Sequence, residues 1–214
     1  MGYPAYNSID YNRKRCDILA IKIFVDQGHN PTGSPNAGAE GFGVREEDIT
    51  YHVGMYLAAI LEADYRFEVR VSRNTPTEVL GTSNASSLIR RVELANSWPA
   101  DYFISIHANA NTNPAINGSE VYVYRTESEA FYLAEHILSE IVRRVGTKNN
   151  GVRVNSSLYV LRRTTMPAVL VELAYLTNEG DIQYLVEDQY QFAYAIYVGL
   201  LNYLNLPQLE NLFG

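Results

Sequence analysis

The sequence predicts a three-layer α/β domain built on a mainly parallel six-stranded sheet flanked by helices. Three observations carry that prediction. Six short apolar runs alternate with amphipathic helical stretches, the pattern of a sheet whose crossovers are helices. Two of the runs, Ile21–Val25 and Val169–Val171, are nearly continuous in apolar residues, as suits strands covered on both faces. The length, 214 residues, suits one domain, since a second core arises only beyond roughly 250 residues.

Taken in order, Ile21–Asp26 (IKIFVD) is β-branched and aromatic and reads as a buried strand. Gly28 to Gly43 holds five Gly and two Pro and reads as loop. Glu46–Ala63 carries Ile49, Val53, Tyr56, Leu57, Ile60 and Leu61 at the spacing of a one-sided helix. Phe67–Ser72 alternates as a strand. Ser86–Trp98 is helical with Leu88, Val92 and Ala95 inward, and Pro99 stops it. Tyr102–His107 and Glu120–Tyr124 are strands on either side of a turn at 111–118. Ala130–Val145 is helical through Leu133, Ile137 and Ile141. Leu158–Leu161 and Ala168–Leu173 read as the last two strands. A short helix from about Asp181 and a longer one through Tyr203 close the pattern before Pro207. Residues 1–20 form a polar lead, 21–206 the domain and 207–214 a tail.

Composition removes several function classes. Hydrophobic residues at 47% and charged residues at 19% exclude disorder. A net charge of −7 without a Lys/Arg cluster argues against a nucleic-acid partner. A single cysteine, Cys16, excludes an internal disulfide framework and a thiolate metal cluster. No apolar run approaches the ~18 residues of a transmembrane segment. The N-terminal MGYPAYNSIDYNRKRC is polar, so no signal peptide is expected in this chain. Tyr supplies 17 aromatics against 7 Phe and 1 Trp, which reads first as ordinary core and rim tyrosine and second as a sugar- or peptide-facing surface.

Four residues stand where an α/β sheet places its ligands, outside the carboxyl ends of strands. His29 lies just past the first strand, His107 ends the third, Glu172 lies near the end of the last, and Glu46 opens the first long helix. Two His and a carboxylate match a catalytic zinc site, which takes three protein ligands and leaves a fourth position for water. A further carboxylate within reach serves as base. Glu172 is the hardest to read as structural, because an ionised carboxylate amid Val169, Leu170, Val171, Leu173 and Ala174 is costly unless paired or metal-linked. Glu46 also has a plain reading, beside Glu47 and Asp48 in a first helical turn where acids favour the dipole. His52 and His136 lie inside helices and are expected to sit outside the site.

At these residues the sequence resembles the zinc-dependent N-acetylmuramoyl-L-alanine amidases, bacterial and phage enzymes that cut peptidoglycan. The resemblance runs from about Ile21 to Leu204. It is carried by VDQGHNP at 25–31, Gly38-Ala39, VREEDI at 44–49, SIHANA at 105–110, GSEVYVY at 118–124 and LYVLRRTTMPAVLVELAYLTN at 158–178. It implies that His29, Glu46 and His107 bind one Zn2+ per chain and that Glu172 is the general base. Glu46 is preferred to Glu47 as the first acid after Arg45. Gln27 and Ala174-Tyr175 depart from the Pro and Gly-Phe usual in the family.

The resemblance further implies a zinc amidase catalytic domain over 21–206, hydrolysing the amide between N-acetylmuramic acid and L-alanine on peptidoglycan or muropeptides, outside the cytoplasm at the bacterial cell wall. A monomer is expected. Asn109 and Arg162 are candidate substrate contacts, and Asp26 is a candidate acceptor for a ligand histidine's second ring N–H, with a capping role equally open. Some family members carry an inserted helix after the SIHANA motif that blocks the zinc. Asn111–Asn117 is too short for one, so an open site is expected. The alternatives are a zinc peptidase or carboxypeptidase acting within the stem peptide and a non-catalytic wall-binding module.

Overall fold

The computed structural model describes residues 20–209. Most of the polar lead, Cys16 and the end of the tail lie outside the described residues. Within them, β1 (Ile21–Gln27) leads through a long loop to a two-residue hairpin, β2 (Glu40–Gly41) and β3 (Val44–Arg45), and then to α1 (Glu46–Ala63) and β4 (Phe67–Val71). Next come α2 (Asn84–Ser97), β5 (Tyr102–Asn109), β6 (Ser119–Val123) and α3 (Glu129–Val145). The rest is β7 (Asn149–Val154), α4 (Tyr159–Arg163), β8 (Ala168–Tyr175), α5 (Glu179–Glu187) and α6 (Gln189–Leu204).

The main sheet has six strands in the order β4-β1-β5-β8-β6-β7. Neighbours are parallel except β6 and β8, which run antiparallel. Alternation along each strand sends side chains to two cores. Ile23, Val25, Ile104, Ile106, Val121, Val169 and Val171 pack with residues of α1, α3 and α6. Phe24, Phe103, Ala168 and Leu170 pack on the other face with Val92, Ala95, Val160 and Leu161 of α2 and α4. These are the two outer layers of the predicted architecture.

Helix ends follow local chemistry. Ser83 and Ser86 form a reciprocal capping box at the start of α2, Ser128 caps α3, and Gly146 ends α3 at φ 91. α6 is buried along its middle, from Phe192 to Leu201 apart from Tyr194, and packs against both α1 and α3. At Gly199 the approach to α3 is backbone on backbone, because a Cβ there would lie 2.5 Å from Ile137 Cα. Part of the predicted tail is docked, with the Pro207 carbonyl accepting from Arg66 at 2.8 Å and the Gln208 side chain accepting from Tyr194 Oη at 3.0 Å.

One strand assignment is corrected. Leu158–Leu161 is not a strand; most of it lies in α4, whose Val160 and Leu161 are buried on the α2 side of the sheet. Short apolar runs do not distinguish the two states. The sixth strand is β7, a polar segment (NNGVRV) with Gly151 at φ 87. As an edge strand with one ladder partner and no fully buried residue, it carries little apolar signal.

Candidate metal centre and active site

β1, β5 and β8 are parallel neighbours, so their carboxyl ends share one edge of the sheet. His29 lies two residues past β1. His107 in β5 is directly paired with Glu172 in β8. α1 begins at Glu46, immediately after the small hairpin, and its first turn reaches the same edge. The hairpin fixes that start, with the Glu46 backbone N–H donating to the Ala39 carbonyl at 2.9 Å.

One ligand atom from each of His29, Glu46 and His107 falls in a group within 4.8 Å of one another, an arrangement able to hold a metal ion. Glu46 Oε1 lies 3.1 Å from His29 Nε2 and 2.9 Å from His107 Nδ1 and accepts from the Ala108 N–H at 3.1 Å. Glu46 Oε2 accepts from the Ala39 N–H at 3.0 Å. Burial opposes ionisation of Glu46, but the hydrogen bonds of His107 and His29 and their charge prevail and hold its carboxyl far below the usual range. Burial likewise disfavours charging His29, and Glu46 outweighs it and raises the imidazole's pKa.

The surroundings aim these groups. His29 sits in the left-handed region at φ 66, uncommon for a residue with a side chain. Its Nδ1 lies 3.1 Å from the Asn36 carbonyl, which leaves Nε2 toward Glu46. Arg91, buried in α2, donates to the carbonyls of His29 and Gln27 and to Asp26, each at 2.5 Å. Gly28 is required by closeness, since a Cβ there would lie 2.6 Å from the His107 ring. Gly38 is pressed similarly against Glu46, at 2.7 Å from its Cβ. Glu47 takes no part in the cluster and accepts from Thr32 instead.

Asp26 does not support a ligand histidine. Its carboxylate is occupied by Arg91 and by Ser105 Oγ at 2.7 Å, because alternation turns it with Ser105 toward the α2 face. Burial would raise its pKa, yet Arg91 and then Ser105 hold it below the usual range. The acceptor role belongs to the Asn36 carbonyl.

Across the sheet, His107, Glu172 and Glu120 stand abreast on β5, β8 and β6. Glu172 Oε2 is buried without a hydrogen-bond partner. Burial, then the charges of Glu46 and Glu120, push its pKa well above the carboxylate range. Asn109 donates to Glu120 at 2.7 Å, and its own Oδ1 accepts from the Ala110 N–H at 2.9 Å. Arg162 is exposed on α4 and lines a separate groove of 580 Å3 with Tyr124, Arg125 and Met166. That groove contains none of the four candidate residues. His52 and His136 are exposed, outside the cluster. The 110–118 segment is a short turn docked on the start of α5, where Asn111 N–H donates to Thr177 at 2.9 Å and Gly118 N–H to Asp181 at 2.7 Å.

Sequence reasoning missed Arg91 and Glu120. The one signal for Glu120 was its place on the polar phase of the alternating Ser119–Val123 strand. Arg91 carried none, since a charged residue in a helix reads as surface.

A family model described as N-acetylmuramoyl-L-alanine amidase matches residues 23–202. The chain is 34% identical over 206 residues to the N-acetylmuramoyl-L-alanine amidase LytC of Bacillus subtilis, an alignment covering 94% of this chain and 39% of that protein. It thus spans well under half the length of that curated relative. Among solved structures it resembles an N-acetylmuramoyl-L-alanine amidase from Clostridium difficile 630, with TM-score 0.77, 31% identity and coverage of 87% of this chain and 97% of that one. The catalytic domain of CwlV from Bacillus (Paenibacillus) polymyxa var. colistinus gives TM-score 0.76, 29% identity and coverage of 87% and 99%. A family match over nearly the whole sheet, joined to the convergence of His29, Glu46 and His107 at its edge, makes this chain a member of the N-acetylmuramoyl-L-alanine amidase family.

Proposed function

We propose that the chain hydrolyses the amide between the lactyl group of N-acetylmuramic acid and L-alanine of the stem peptide, using one Zn2+ held by His29, Glu46 and His107. The observation that carries the reading is the convergence of two imidazole nitrogens and a carboxylate oxygen beside an unpartnered, buried Glu172 Oε2. The donor set suits zinc, which takes nitrogen and oxygen ligands in three-ligand catalytic sites. When bound there, Zn2+ supplies a Lewis acid that polarises the scissile carbonyl and brings the pKa of water toward about 7.

The chain's own groups do the rest. Glu172 Oε2 takes a proton from the attacking water and passes it to the departing amine. A C–O bond forms as the C–N bond breaks, leaving a lactyl carboxylate and a free L-alanine amine. The Asn36 carbonyl holds the His29 ring so that Nε2 stays a ligand. Asn109, with both ends of its amide engaged, positions Glu120 and through it the row beside Glu172. All the groups come from one chain, so a monomer suffices. The short 110–118 turn leaves the site open, and the work is done outside the cytoplasm on wall polymer.

Glu172→Ala should retain stoichiometric zinc and lose at least ~100-fold in hydrolysis of muropeptides, the scale of a general base. His107→Ala should lose the metal. Parent-like activity in the first variant, or full zinc in the second, contradicts these roles.

A further inference from the structure

One cation stands beside the row of carboxylates. Glu120, 2% exposed, is the hub of four strands. Its Oε1 accepts from Asn109 of β5 at 2.7 Å, from Tyr122 of β6 at 3.1 Å and from Tyr175 of β8 at 3.1 Å. Its Oε2 is paired with Nε of Arg153, which reaches over from the edge strand β7. The Arg153 side chain nevertheless remains 51% exposed. Among the described residues its guanidinium makes no other ion pair and no hydrogen bond. A guanidinium has five N–H groups in a fixed fork. Held against a buried carboxylate by charge, without a hydrogen bond to Glu120 Oε2, the guanidinium keeps its N–H groups for a second acceptor.

Position and charge indicate what that acceptor is. Strands are about 4.8 Å apart, so Glu120, and the guanidinium held on it, lie two strands or about 10 Å from His107. An extended peptide covers that distance in about three residues. The neighbouring charges are Glu46, Glu120 and Glu172, in a chain whose net charge is −7. An anionic group entering along this row finds its complement in Arg153.

We propose that Arg153 is a specificity-determining residue that binds a carboxylate of the stem peptide two or three residues from the scissile amide, an inference that rests on the amidase reading above. Glu120 presents the guanidinium, and the carboxylate takes its exposed edge in a charge-assisted pair. A purely structural Arg153, present only to neutralise Glu120, would affect all substrates alike.

The test compares the zinc-loaded parent and Arg153→Lys on two muropeptides of one stem sequence, carrying free carboxylates or amides at the second and third residues. Lys keeps a positive charge beside Glu120 but lacks the fork. The parent should favour the carboxylate form in kcat/KM by about tenfold, chiefly through KM, as expected for loss of one charged hydrogen bond. Arg153→Lys should lose that preference while cleaving the amidated form within about twofold of the parent. An unchanged preference in Arg153→Lys, or a parent that cleaves both forms equally, overturns the inference and leaves the amidase reading intact. The parent comparison alone decides should the variant fail to fold. If the parent cleaves neither form at the muramoyl bond, the amidase reading falls and this inference with it.

Discussion

Asp26 and Arg91 illustrate how much of the site is held in place by a fully buried ion pair. Both are about 1% exposed, and Arg91 also ties the carbonyls of Gln27 and His29. Removing one partner of a buried ion pair strands the other, at a cost of about 3–5 kcal/mol. Arg91→Met should therefore lower stability by that amount in denaturant unfolding of the metal-free protein, and a loss below ~1 kcal/mol would show the pair to be dispensable. The pH dependence has a definite sign. The Asp26 pKa is lowered on folding, so its contribution is present above the ordinary value of 3.8 and is lost as pH falls through the lowered folded value. At this scale the sequence was legible where residue type and strand end coincided, as at His29, His107 and Glu172. It was silent on Arg91 and Arg153, whose partners are 65 and 33 positions away. The departure at Gln27 gains a reason as well. Its N–H donates to Ser72 Oγ at 3.0 Å, a bond a proline cannot make, and its Oε1 accepts from Ser72 Oγ and the Arg73 N–H, each at 2.9 Å.

Elements with a strong period were read almost to the residue. α1 spans Glu46–Ala63 as its apolar stripe predicts, and β1 extends one residue past the expected strand. The exchange of β7 for Leu158–Leu161 marks where periodicity fails. α4 has only five residues, and β7 has no fully buried position. Close contact between helices is equally invisible in one sequence, since a Gly inside a helix signals only weakness until its neighbour is known. Gly199→Ala tests that contact directly. The added Cβ meets Ile137 Cα at 2.5 Å and the Ile137 nitrogen at 2.8 Å, so α3 and α6 must separate. Despite the better helix propensity of Ala, the variant should be less stable by about 1–3 kcal/mol in thermal or denaturant unfolding. A stabilised Gly199→Ala protein would show that the two helices yield without cost.

For the molecule as a whole, the acidity of the chain and the balance at the site are separate matters. Arg153 offsets Glu120, so that with Glu46 and Glu172 ionised two negative charges remain and one divalent cation balances them. The three layers exist, in functional terms, to bring the ends of β1, β5 and β8 and the start of α1 to one edge. Mass spectrometry of products from purified peptidoglycan, with and without a chelator, decides whether the proposed metal-dependent cut falls at the muramoyl–alanine amide. Expected are stem peptides with a free L-alanine amine, glycan strands bearing bare lactyl carboxylates, no products with chelator present, and recovery on adding Zn2+. New amino termini inside the stem peptide, or a chelator-insensitive cut, would contradict it.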